Sequence, residues 1–249
     1  MCIRDSRNFH DFSAPLPVNV AYREIHPYLV PKDWPPSADN EARIADFVAR
    51  NGMPAYQAAV SGGQHEYADG LFFGGIAPTW SNTTLRALLR RRARHVKRLG
   101  WIDLHTGLGP SGHGERILAC KDDAAALARA QQWWAGADHS TPVTSIYDGS
   151  STSAKLTGML FAGVYDECPD AEYTGIAMEY GTLPLIEVMN ALRADHWLAG
   201  HAAAPPELAH AIRQQMRDAF YTDTDAWKGQ IISQARQSMF QAAHGLSMA

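Results

Sequence analysis

The sequence is short of cysteine: Cys2, Cys120 and Cys168 are the only three in 249 residues, far apart and with no Cys-x-x-Cys pair. That spacing excludes a disulfide framework and suits a reducing compartment, while leaving a Cys120–Cys168 bridge open. Long apolar runs are missing too. The most apolar stretch, Leu156 to Tyr165, has ten residues, among them two glycines and a threonine, well below the ~18 that a membrane-spanning helix needs. Nor is there an excess of positive charge, with Lys+Arg 22 against Asp+Glu 26 and a formal net charge of -4, which argues against nucleic acid or an anionic membrane as a bulk electrostatic partner. The first residues show no charged region followed by an apolar run, so no secretory signal is visible. What remains is the composition of an ordinary globular protein, 46% hydrophobic and 19% charged. A chain of this length buries roughly 70–75% of its unfolded surface and supports one large core without staples. One domain is the default expectation and two small ones the alternative.

Read along the chain, residues 1–36 look irregular, with six prolines from Pro15 to Pro36. A helix is expected from Ser37 to Asn51-Gly52, since Ile44, Phe47 and Val48 recur at helical spacing and glycine is a stop signal. A short helix over 54–60 and a buried strand over Gly70–Gly75 follow. Ser81 or Asn82 should then cap a helix that carries Leu85, Leu88, Leu89 and Val96 on one face and Arg90, Arg91, Arg92, Arg94 and Lys97 on the other. No aromatic residues are interleaved with that basic run, so it reads as a solvated face rather than a nucleic-acid site. Strands are expected at Trp101–His105, Arg116–Cys120, Pro142–Tyr147 and Tyr173–Glu179. Helices are expected from Asp122 or Asp123 to Trp134, over 184–198, 206–221 and from Asp225 to about His244; the apolar segment before Tyr165 fits either state. Strands alternating with helices make an α/β domain.

Several motif matches fail on context. Gly107-x-Gly109-x-x-Gly112 fits the dinucleotide fingerprint in letters, but Pro110, His113, Gly114 and a following strand leave no helix to hold a pyrophosphate. His65-Glu66 has Asp69 where a zincin helix needs its second histidine, and His113-Gly-Glu115 lacks a later Pro-Cys-x-x-Cys. Position favours two other residues. His105 and Glu179 each end a predicted strand just before a glycine-containing loop, where open α/β sheets place their ligands. Asp103, two residues before His105, shares its strand face and is placed to orient the imidazole from a second shell. The same positions also fit a hydrogen-bonded core histidine and a helix-capping glutamate.

The run Arg7-Asn8-Phe9, the string Trp101-Ile-Asp-Leu-His-Thr-Gly-Leu-Gly-Pro110 and the strand end Ala177-Met-Glu-Tyr-Gly181, in that order and with 74 residues from His105 to Glu179, resemble the later motifs of the carboxypeptidase A-like zinc metallopeptidases. The span from Arg7 onward, including Phe72 to Leu85, is most similar to a bacterial branch of that superfamily described only as a domain of unknown function. The resemblance implies a three-layer α/β/α sandwich round a mixed sheet, with His105 as a zinc ligand and Glu179 as the general base. Arg7 and Asn8 match the family's Asn-Arg-Asn-Phe motif, whose arginine grips a substrate carboxylate, although position 6 is Ser. The substrate would be a peptide or a small amide. The family's mobile tyrosine has two candidates, Tyr147 and Tyr165, neither at a matching distance from Glu179.

The family takes its first two zinc ligands from a His-x-x-Glu upstream of this motif, and none of the eleven histidines here begins one. One histidine cannot hold a catalytic zinc, which needs about three protein ligands. The expectation is therefore a single carboxypeptidase-like domain over residues 7–249 without its N-terminal strands, preceded by a non-native leader over 1–6. In this reading the chain is an inactive fragment of a zinc-dependent amide hydrolase. The alternatives are a non-catalytic binding module or pseudoenzyme on the same fold, and an N-acyl amino acid deacylase. Oligomeric state is not legible in the sequence.

Overall fold

The computed structural model describes residues 6–136 and 141–248; all but Ser6 of the expected leader lies outside them. The elements run α1 (Val20–Leu29), α2 (Ala38–Asn51), α3 (Met53–Ser61), α4 (Trp80–Arg92), β1 (Arg98–Ser111), β2 (Gly114–Leu118), α5 (Ala124–Trp134), β3 (Val143–Thr144), α6 (Ala162–Glu167), β4 (Glu172–Gly181), α7 (Leu185–Gly200), α8 (Pro206–Phe220) and α9 (Asp225–Ser247). The fold is α/β with a mixed sheet. The chain groups into two compact units: one comprises the described residues up to Thr79 with Ala154–Met159 and Leu185–Phe220, the other Trp80–Ser153, Leu160–Pro184 and the residues from Tyr221.

The first unit is helical. Its helix α1 falls inside the stretch expected to be irregular: Asn19 caps it by accepting from the Tyr22 amide, and Tyr22, Ile25 and Leu29 form a fully buried stripe. The three positions have helical spacing, which the surrounding prolines obscured. Ser37 caps α2 and Gly52 ends it, as expected. Arg193 on α7 is buried, and ties α7 to α2 through Glu41 at 2.8 Å and to the Tyr28 carbonyl at 2.9 Å. Ala194, Trp197 and Leu198 of α7 pack on Ala209 and Ile212 of α8. The strand expected over Gly70–Gly75 does not form. Only one bridge, Gln64 to Phe73, is made, because Phe72 (φ 53°) and Gly75 (φ 82°) turn the chain out of extended geometry, although Leu71 and Phe72 are buried as expected.

The second unit holds the sheet, in the order β1-β4-β2-β3. β1 and β4 are parallel, β2 and β4 antiparallel, and β2 and β3 parallel. Asp123 caps α5, as the sequence predicts. Helices α5 and α9 lie side by side on one face: a Cβ on Gly100 would meet Trp133 and Leu246, and the Trp134 indole donates to the Ser238 carbonyl. Ile176, Met178 and Tyr180 of β4 point into this layer and are buried. The strand expected over 142–147 shrinks to Val143–Thr144, and the ambiguous apolar segment yields the short helix α6. Cys120 and Cys168 are both free and buried, so the bridge left open does not form.

Candidate functional site

Because β1 and β4 are parallel neighbours, their C-terminal ends coincide. His105 is registered directly beside Glu179, and Asp103 beside Ala177. Directly paired residues project to the same face, and this is the face opposite α5 and α9. The imidazole Nε2 of His105 meets Asp103 Oδ2 at 2.8 Å, the orienting contact expected from the two-residue spacing.

The glycine-rich loop after His105 has a definite task. It interrupts the β1–β4 register between Thr106 and Ser111 as a bulge, and Gly107 (φ 133°) and Gly109 (φ 92°) take backbone conformations that L side chains rarely adopt. The bulge turns the Leu108 amide toward Glu179, whose Oε1 accepts from it at 3.1 Å. Thus the segment that resembled a phosphate loop holds a carboxylate instead.

Burial pushes the Glu179 carboxyl up from 4.5 to about 7; the neighbouring His105 and the Leu108 N–H act in the opposite sense, while Glu115 and Asp103 add to the rise. A carboxyl poised near neutrality is suited to accept and return a proton. Glu115 is the residue that sequence reasoning missed. On the antiparallel side of β4 it is registered directly opposite Glu179, so His105, Glu179 and Glu115 form a row across three adjacent strands. Glu115 is buried, accepts from Thr144 Oγ1 at 2.5 Å and from the Thr152 amide at 3.1 Å, and is also bonded by the Thr152 hydroxyl. It thereby fastens the small-residue loop after β3 to the sheet beside Glu179. Its sequence signal was slight, a charged residue just ahead of the strand expected from Arg116.

Arg7 and Asn8 belong to the helical unit. The Arg7 guanidinium is buried, donates to the Ser61 carbonyl at 2.7 Å and the Ser6 carbonyl at 3.1 Å, and sits over the Phe72 ring. It has no carboxylate partner among the described residues, and burial lowers its pKa to about 10. An unneutralised buried guanidinium is a site for an anion. Asn8 is fully buried; its Nδ2 donates to the carbonyls of Gly74 and Ala77, and its Oδ1 accepts from the Thr79 amide and hydroxyl. Asn8 therefore shapes the 74–79 loop next to Arg7. The two tyrosine candidates both attend the end of β2: Tyr147 donates to the Cys120 carbonyl, and Tyr165 accepts from the Lys121 amide.

Among the described residues no three His, Cys, Asp or Glu side chains converge in a way that could hold a metal ion, and no helix is long and apolar enough to cross a membrane. The model of the family described as "Protein of unknown function (DUF2817)" matches residues 5–234. The chain belongs to that family. No curated protein and no solved structure matches it.

Proposed function

We propose that this member of the DUF2817 family carries the proton-transfer part of an amide-hydrolysing site of the carboxypeptidase-like zinc type, with a peptide or small amide as substrate. The observation that carries the reading is the registered His105–Glu179 pair just before the bulge that interrupts two parallel strands toward their C-terminal ends, with Glu179 desolvated and held by the Leu108 amide. Glu179 takes a proton from the attacking water and passes it to the leaving amine, a role that typically contributes about 10²–10⁴-fold in rate. Asp103 holds the ring of His105. By the resemblance alone, Arg7 of the helical unit, buried and without a carboxylate partner among the described residues, is the group whose guanidinium fork suits a carboxylate.

The described residues do not fit a zinc ion on their own. His105 supplies one nitrogen, and no second and third ligand stand with it. In this reading the missing pair comes from a His-x-x-Glu segment that the sequence does not contain, and the 249-residue chain alone is inactive. That same lack of a ligand set among the described residues favours a second reading, a non-catalytic binding module or pseudoenzyme on the same fold. An N-acyl amino acid deacylase remains a variant of the first, since its substrates offer the same carboxylate.

The test begins with the reading frame upstream of residue 1. An in-frame His-x-x-Glu allows the extended chain to be assayed on dipeptides and N-acyl amino acids with zinc, and Glu179→Gln should then abolish turnover while zinc stays bound. Undiminished turnover in that variant sinks the assignment of the base. Zinc-dependent hydrolysis by the 249-residue chain itself would overturn the assignment of the ligands. Ligand binding unaffected by His105→Ala, with no upstream His-x-x-Glu, would establish the binding module.

A further inference from the structure

Helix α9 lies on the face of the sheet away from His105 and Glu179, yet one stripe of it grips the strand ends that carry the site. Trp227, Gln230 and Gln234 follow at intervals of three and four and so share one helix face. The Trp227 indole donates to the carbonyl of Gly181, the last residue of β4, at 3.0 Å. A Cβ on Gly112 (φ 74°) would run into the Gln230 side-chain amide. Gln234 holds the turn between β1 and β2 from both sides: its Oε1 accepts from the Gly114 amide at 2.9 Å and its Nε2 donates to the Gly112 carbonyl at 2.8 Å. The same Nε2 also donates to the Gln230 carbonyl at 3.0 Å, so the side chain is fixed from its own helix as well. Only one orientation of the amide makes all three bonds.

That turn is where the bulge after His105 ends. Pairing between β1 and β4 stops at Thr106 and resumes at Ser111 beside Gly181. The Gly112 amide then donates to the Gly181 carbonyl at 3.0 Å, and the Gly181 amide to the His113 carbonyl at 3.2 Å. Residues 107–110 are therefore suspended between the ladder at one end and the turn held by Gln234 at the other, with the Leu108 amide that bonds Glu179 in between. At Gly109, in the same span, an added Cβ would meet nothing within 4 Å. With no packing on that side, the span takes its shape from its two ends.

We propose that Gln234 is a positioning residue: by fixing the β1–β2 turn it holds the bulge in the shape that presents the Leu108 amide to the Glu179 carboxylate. Its relevance to catalysis rests on the reading of Glu179 as the base; the tether itself does not. Helix α9, on one face of the sheet, thereby governs a carboxylate on the other.

Proton–nitrogen NMR on the 249-residue chain tests the tether without substrate. Gln234 is half-buried, and Gln234→Leu keeps its bulk while removing all three bonds. The Leu108 amide should then exchange with solvent about ten-fold faster or more, since the lost neutral hydrogen bonds add up to that factor. Its proton should move upfield as the carboxylate bond lengthens. Exchange at Ile176, buried in the middle of β4, should not change. Glu179→Ala should move the Leu108 proton the same way, and Gln234→Leu should add no further shift in that background, the non-additivity of residues that act through one bond. Unchanged Leu108 exchange in Gln234→Leu, equal acceleration at Ile176, or independent shifts in the double variant would each overturn the proposal while leaving Glu179 as the base. A Leu108 proton indifferent to Glu179→Ala would remove the bond on which both readings stand.

Discussion

The raised carboxyl of Glu179 has a thermodynamic signature that needs no substrate. Its pKa moves from 4.5 in the unfolded chain to about 7 in the folded one. Between those two values the folded state holds a proton that the unfolded state has released, so stability is greatest below the unfolded pKa, falls as pH rises through the window, and levels off above the folded pKa. A shift of this size corresponds to about 3 kcal/mol, and the solvent reaching this strand end reduces the expectation to about 2 kcal/mol. Glutamine has nearly the same shape, keeps an oxygen for the Leu108 amide, and cannot titrate. Glu179→Gln should therefore match the wild type in stability near pH 4 and exceed it by about 2 kcal/mol near pH 8. For a chain of this size that is about 4–8 °C in Tm. Paired urea or thermal melts across this range measure the difference, in which titrating groups not coupled to Glu179 cancel. A difference that does not change with pH would show that Glu179 ionises as an ordinary carboxylate and would refute the desolvation argument.

The neighbours of Glu179 should move its titration in opposite directions, as read by carbon-13 NMR of the carboxyl: His105→Ala raises the midpoint by removing the group that lowers it, and Glu115→Gln lowers it by removing a like charge. Shifts of the same sign in both variants would exclude the row geometry. Asn8→Ala should destabilise the helical unit by about 1–3 kcal/mol, because the Gly74 and Ala77 carbonyls lose their buried donor. Hydrogen exchange at the Thr79 amide should rise in the same variant, and a change below about 0.5 kcal/mol would contradict the bonding described for Asn8.

How much of this was legible follows from the kind of signal each element leaves. His105 and Glu179 were readable because an apolar strand that stops at a polar residue before glycine is a local pattern; the structure carries β1 on to Ser111, and puts the pair one residue before the regular β1–β4 pairing gives way to the bulge. Asp103 was readable because two residues along a strand return to the same face. Glu115 was not, since its importance depends on β2 running antiparallel to β4 in one particular register, which no local spacing reports; a slip of one residue would have turned it to the opposite face. Helix α1 was hidden by the prolines on its flanks and by Pro27 within it, and the expected strand at 70–75 failed because burial of Leu71 and Phe72 is achieved by a folded loop rather than by pairing.

The bulge after His105 joins these levels. In a strand pair of fixed register, a side chain at the end of β4 finds amides only in the ladder, where they are already committed to carbonyls. Four extra residues in β1, two of them glycines at positive φ, leave the Leu108 amide outside the ladder and aim it at the Glu179 carboxylate. The bond favours the ionised form just as burial opposes it, so the balance near neutrality depends on the loop keeping its shape. Its closeness to β4 is permitted by Gly181, where an added Cβ would clash with the Gly109 and Pro110 carbonyl oxygens at 2.2 Å. A sequence that reads Gly-Leu-Gly-Pro after one strand and Glu-Tyr-Gly at the end of the next is therefore specifying one object: a carboxylate held at the rim of a sheet by a backbone amide, beside an oriented histidine.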